Sequence, residues 1–166
     1  MKRLFPLFLT VALLLSGCAS NKSIDIVTEN FNFTAEFTKG KETAKYFVTV
    51  NKKGNFTVNQ LSNGKGNTLK YTFDGDNVTV SYGNLEHTLT KAALQKGNFI
   101  DLLPEIYGQI KKTNCKAADK NNDFTVSVKT DSYDALLHLG QSGLPIKLTE
   151  ENYKINVEFK NPGIIS

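Results

Sequence analysis

Two histidines, one cysteine in the body of the chain and a run of Asp and Asn residues are of types that could do chemistry. Their spacing does not assemble them into a site. His87 and His138 stand far apart, with no Cys or carboxylate motif beside either, unlike a metal pair. Alternation places both in strands, His87 on the apolar side, as hydrogen-bonded core or rim residues. Asp119, Asn121 and Asp123 have the one-three-five spacing that opens a helix–loop–helix calcium site. Such a loop next needs glycine sixth and a bidentate glutamate twelfth, where this chain has Phe124 and Thr130. Asp74 and Asp76 flank Gly75 as hairpin turn residues do. Gln141-Ser142-Gly143 lacks the strand–turn–helix setting of a nucleophile elbow. No glycine-rich loop leads into a helix to cradle phosphate. Cys115, in Thr113-Asn114-Cys115-Lys116, has no His or second Cys nearby and reads as an inert thiol. These residues predict no enzyme, no metal and no cofactor.

The most specific stretch lies near the start. Lys2 and Arg3 precede an apolar run from Leu4 to Leu15, interrupted only by Pro6 and Thr10 and followed by Ser16-Gly17-Cys18. A basic region, roughly a dozen apolar residues and small residues at the end make a secretory signal. A membrane span would need about 20 apolar residues, and polar Ala19-Ser20-Asn21-Lys22 cuts this run short. Leu15-Ser16-Gly17-Cys18 resembles the lipobox of bacterial lipoproteins. The resemblance implies lipidation of Cys18, cleavage before it and anchoring on the extracytoplasmic face of a membrane, the outer one included in a two-membrane host. Residues 1–17 are then the signal peptide, 18–23 a tether and 24–166 the domain. Cys115 would have no partner within the mature chain. The formal charge of +4 falls to +2 when the two cations Lys2 and Arg3 leave. The remaining lysines are scattered singly or in pairs, which argues against a nucleic-acid partner.

Past the tether the pattern is one of strands. Phe31, Phe33, Ala35 and Phe37 alternate with Asn32, Thr34, Glu36 and Thr38, the period of two of a half-buried strand. The same alternation recurs through Tyr46–Val50, Phe56–Gln60, Leu69–Phe73, Val78–Tyr82 and Leu85–Leu89, with Gly/Asn/Asp turns between. Six short strands at about ten-residue spacing predict an antiparallel meander. Helical spacing then appears at Phe99, Leu102 or Leu103, Ile106 and Ile110, with Asn98 as a candidate cap. Pro104 disfavours a helix running through it and moves the expected helix to about 103–112. Residues 113–123 read as loop. Strands resume at Phe124–Val128, around Ala135–Leu139, at Leu144–Leu148 and at Tyr153–Phe159, and Asn161-Pro162-Gly163 ends the sheet.

These ten or so strands carry roughly thirty large apolar side chains on one face, and a helix of three turns cannot cover a flat sheet of that size. Leaving the remainder wet would forfeit about 25 cal/mol for each Å². The predicted fold is therefore mainly β with minor α: a curved antiparallel sheet, an incomplete barrel, with a helical plug on its concave side. Phe31, Phe33, Phe37, Tyr46, Phe56, Tyr71, Phe73, Tyr82, Phe99 and Tyr107 all fall on the inner side or the helix.

In layout the chain resembles the LolA/LolB-type lipoprotein-carrier superfamily: a strand meander, a helical insertion, then a return of strands over most of residues 24–161. Its most specific local piece is Gly143-Leu144-Pro145-Ile146-Lys147-Leu148 followed by Tyr153-Lys154-Ile155-Asn156-Val157-Glu158-Phe159. A soluble carrier would not keep a lipobox, so the likeness is to anchored members, or to lipoproteins of unknown role that share the fold. The resemblance implies a lipid-anchored, non-catalytic module for a hydrophobic ligand such as a lipid or acyl chain. Its candidate ligand-binding residues are Phe33, Phe37, Tyr71, Phe73, Leu103, Ile106, Tyr107 and Ile110. The alternative is a membrane-anchored scaffold with a filled core that binds another envelope protein. An apolar cavity of several hundred Å³ beneath the helix would favour the first. A filled interior with an exposed apolar patch would favour the second.

Overall fold

The computed structural model describes residues 23–61, 68–113, 116–120 and 123–165. Cys18, Cys115, Asn121, the signal, the tether as far as residue 22 and the expected turn at 63–67 lie outside these. Twelve strands form one open antiparallel sheet in the order β1-β8-β9-β10-β11-β12-β2-β3-β4-β5-β6-β7. Two meanders build it. β2 (Phe31–Lys39), β3 (Glu42–Val50), β4 (Phe56–Leu61), β5 (Lys70–Asp74), β6 (Asn77–Tyr82) and β7 (Leu85–Thr90) form one. The other runs through β8 (Lys116–Lys120), β9 (Asp123–Lys129), β10 (Asp134–Leu139), β11 (Pro145–Glu150) and β12 (Ile155–Ile164), with β1 (Ser23–Asp25) against β8. They meet along β12 and β2, from Ile155 opposite Lys39 to Ile164 opposite Phe31. Three two-residue hairpin loops, Gly40-Lys41, Gly75-Asp76 and Gly83-Asn84, begin with glycine at φ +61°, +57° and +60°. That is the conformation a tight hairpin of this twist demands of its first loop residue.

The single α-helix among the described residues, α1, spans Phe99–Thr113 and starts four residues before the expected 103. Asn98 accepts the Asp101 N–H on its side-chain oxygen at 2.9 Å, and its carbonyl accepts the Leu102 N–H at 3.0 Å. A cap of this kind is worth about 1 kcal/mol, and each large apolar side chain buried adds about 1.5–3 kcal/mol. With Phe99, Ile100, Leu102 and Leu103 all buried, the sum exceeds the roughly 3 kcal/mol cost of Pro104 inside a helix.

Four further expectations are corrected. Residues 113–123 are not all loop, since β8 occupies 116–120; with β1 it brings the strands to twelve. Asn161-Pro162 does not end the sheet: Asn161 bulges at φ +52° and pairing resumes at Gly163. Tyr153 lies in the turn before β12, where Glu150 accepts its N–H at 2.8 Å and that of Asn152 at 3.0 Å. Ile146 is exposed, because a register shift beside Leu139 sets that residue opposite Pro145.

One contiguous apolar core joins the concave face of the sheet to α1, and its buried members all lie between Phe31 and Phe159. Among the described residues, every buried member of this core therefore lies within the segment from Ser23 onward. No helix among the described residues is long and apolar enough to cross a membrane.

Candidate functional site

All but Tyr71 of the residues expected to line a ligand cavity are buried in the core that α1 shares with the sheet. Leu103, Ile106, Tyr107 and Ile110 are 2% exposed or less, as is Phe33. Phe33 meets Phe159 edge-on at 4.9 Å between ring centres, and Phe31 lies 5.7 Å from Tyr107. Phe37 packs edge-on against Phe99 at 6.1 Å, while Tyr46 stacks on Phe99 at 4.5 Å. Aromatic contacts of this geometry add to burial and hold a core rigid.

Cover is incomplete towards the β5–β7 end. Pairing places Tyr71 opposite Val80 and Val80 opposite His87, and Phe73 opposite Val78 and Val78 opposite Leu89, so these side chains share the concave face. Phe73 and Val78 are buried, but Tyr71, Val80 and Leu89 are only half-buried. Tyr82 and Leu85 reach 49% and 73% exposure. Tyr82 thus shares the inner face without joining the core. His87 too has the expected side of the sheet but is exposed on edge strand β7. His138 sits on β10, eight strands away in the sheet order.

Beside α1 this leaves a trench. A cleft of about 290 Å³ is lined by Phe73, Lys91, Leu94, Pro104 and Gly108, among others. An adjoining recess of about 120 Å³ shares Phe73, Lys91, Pro104 and Gly108 and adds Phe56, Tyr107 and Lys111. Local structure explains the lining. Pro104, Gly108 and Lys111 follow one another at helical spacing on one stripe of α1. Phe73 projects from β5, and Lys91 and Leu94 come from the 3-10 turn Lys91–Ala93 and its end. Of the residues expected at a ligand site, only Phe73 and Tyr107 line the trench. Phe37 lines a separate cleft of about 260 Å³ with Tyr46 and Gln95.

One end of the trench is electrostatically closed. Asp101, buried, accepts a hydrogen bond from the Tyr133 hydroxyl and an ion pair from Lys96 at 3.1 Å. The Tyr133 oxygen in turn accepts the Gly97 N–H at 2.9 Å. Lys96 also meets Glu105 at 2.8 Å, and Thr130 donates to Glu105 at 2.7 Å. Burial first, then the bond to Asp101, pushes the Tyr133 phenol upward. Burial opposes the charges of Lys96 and Glu105, but their mutual bond prevails, raising the lysine and lowering the glutamate. Two groups beside the trench have no such partners: Lys91, which the sequence did not single out, and Tyr107, which it did. Lys91, half-buried, makes no ion pair or side-chain hydrogen bond among the described residues. The Tyr107 hydroxyl is buried without a hydrogen-bond partner, and burial raises its pKa.

Nothing in this arrangement assembles a metal centre: no group of three or more His, Cys, Asp or Glu among the described residues could hold an ion. Residues 116–120 and 123–129 are the paired strands β8 and β9, with Asp119 opposite Phe124, and not parts of helices flanking a calcium loop.

No family model and no curated protein sequence matches the chain. Among solved structures it is similar to a chain of the Pseudomonas aeruginosa MucA/MucB complex, with 15% identity and a TM-score of 0.40 over 82% of this chain and 52% of that one. It is also similar to a crystal structure of MucB, with 14% identity and a TM-score of 0.42 over 94% and 57%. The chain spans about half the length of these structures.

Proposed function

We propose that this chain is a lipid-anchored extracytoplasmic lipoprotein whose domain is a non-catalytic module for a hydrophobic ligand, held beside the helix and not beneath it. The observation carrying this reading is the largely apolar trench between α1, Phe73 of β5 and the Lys91–Leu94 turn, beside a helix face whose Leu103, Ile106, Tyr107 and Ile110 are packed into the core. The open β-sheet with one helix is the architecture that the LolA/LolB-type resemblance implies. Anchoring through Cys18 follows from the lipobox. Six tether residues reach at most about 20 Å, which would hold the trench close to the bilayer that supplies apolar molecules.

The reading is tested with the segment from Ser23. Added laurate should stabilise it by about 2.7 kcal/mol at a hundredfold excess over the dissociation constant, and native mass spectrometry should find a one-to-one complex. Absence of both in a well-folded preparation would sink the ligand reading. Anchoring is tested separately, since Cys18→Ala should abolish metabolic palmitate labelling.

A second reading, an envelope-protein scaffold, is favoured by one observation: Tyr82 and Leu85 are exposed apolar residues at the tip of the β6–β7 hairpin. If that patch is an interface, Leu85→Lys should remove a site-specific crosslink from position 82 to a defined envelope protein and leave laurate binding intact.

A further inference from the structure

Gly108 is out of place in a helix. Glycine inside a helix is about 1 kcal/mol worse than alanine, and a Cβ at 108 would meet no atom within 4 Å. No packing contact demands the glycine, yet it lies on the stripe of α1 that lines both parts of the trench. A side chain there would project into that space. Three other features meet in the same trench. Its floor is apolar, with Phe73, Leu94 and Pro104. The half-buried Lys91 borders both parts without an ion pair among the described residues. Tyr107, whose buried hydroxyl has no partner, lines the recess. The acidic groups bordering the trench, Asp101 and Glu105, are already held by Lys96, Tyr133 and Thr130 and so do not compete for Lys91.

We infer that the trench is built for a single-chain anionic amphiphile, its alkyl chain along Phe73 and Pro104 over Gly108 and its anionic head on Lys91. An oxygen of the bound molecule accepts the Tyr107 hydroxyl. This rests on the hydrophobic-ligand reading and specifies the ligand's charge, its chain number and its place. Two sources share the chemistry, a free fatty acid with a carboxylate head and a lysophospholipid with a phosphate head.

Binding is measured by calorimetry below micellar concentrations on the segment from Ser23, with three probes of equal chain length: laurate, lauroyl lysophosphatidylglycerol and neutral monolaurin. At least one anionic probe should bind about tenfold tighter than monolaurin, as one charge-assisted hydrogen bond provides. Whichever anion binds better identifies the head. Lys91→Gln should remove that preference, bringing the affinity for the anionic probe down to that for monolaurin in the same variant. Gly108→Leu should abolish binding of all three and raise the melting temperature, because leucine is the better helix former. Tyr107→Phe should weaken binding severalfold without lowering the melting temperature, since no partner of the hydroxyl is lost. Equal affinity for all three probes, or wild-type binding by Gly108→Leu, would overturn this inference and leave the hydrophobic-ligand reading standing. Binding of none of them would overturn both.

Discussion

Tyr133 fastens the start of the helix to the far half of the sheet. It comes from the turn between β9 and β10, yet its hydroxyl is shared by Asp101 on α1 and the backbone of Gly97. Its ring lies 5.6 Å from that of Tyr153, and Lys96 stands over it at 5.9 Å. Removing the oxygen leaves one oxygen of a buried carboxylate, still paired with Lys96 through the other, and a backbone donor without their shared partner. Each loss costs about 1–3 kcal/mol, so Tyr133→Phe should lower unfolding free energy by about 2–6 kcal/mol. In urea the midpoint should fall with an unchanged slope. Glu105 gives the pH dependence. Its folded pKa lies below the ordinary value of 4.5, so its contribution is present above that value. It is lost as pH falls through the lower, folded one. Glu36 acts in the same direction on the outer face, held at about 2 by hydrogen bonds from Lys160 and Lys45. Urea midpoints from pH 7 to pH 3 should therefore decline in the wild type and decline less in Glu105→Gln. A decline of equal size in both would show that this network does not sense acid.

At the scale of elements, α1 shows what was legible in the sequence and what was not. Strands β2 to β7 could be read because each alternates apolar with polar side chains, and a period of two survives any curvature. The helix was read four residues short, because Pro104 speaks against a helix locally while Phe99, Ile100 and Leu102 favour one through burial that no local rule sees. The same blindness hid β1 and β8. Each pairs with a strand remote in sequence, and three or five residues show too little alternation to register. The bulge at Asn161 hid the end of β12, where pairing resumes only after two unpaired residues. Of the site, the apolar lining of Phe73 and Tyr107 was visible, and Lys91 and Gly108 were not. An unpaired lysine and a helical glycine become informative only once their neighbours are known. The cap that starts α1 is testable. Asn98→Ala removes the acceptor for Asp101 N–H and should cost about 1 kcal/mol. Asn98→Asp, keeping an acceptor, should restore most of it in the same urea titration.

Over the whole molecule, the distinction that matters is whether α1 is a movable plug or part of the fold's permanent core. A plug would rest on the sheet through an apolar face that can wet cheaply, and the half-barrel beneath it would close on a ligand once it moved. Here the face is Leu103, Ile106, Tyr107 and Ile110, all buried, with the Tyr107 ring against those of Phe31 and Phe56. Moving it would expose four large side chains, at about 1.5–3 kcal/mol each, and would also break the Asp101–Tyr133–Lys96 fastening. That sum is comparable to the whole stability of a domain, about 5–15 kcal/mol. Displacement of α1 and global unfolding should thus be nearly the same event. Native-state hydrogen exchange separates the cases, because segments that open on their own exchange with a smaller free energy than the global one. The amides of Ile106 and Ile110 should exchange only through global unfolding, with opening free energies equal to that from urea. Those of edge strand β7, half-covered and unpaired on one side, should open well below it. Saturating laurate should then raise protection across the whole domain by the binding free energy, with no helix amide becoming faster. Fast exchange in α1 without ligand, slowed selectively when laurate is added, would instead make the helix a gate and return the ligand to the space beneath it.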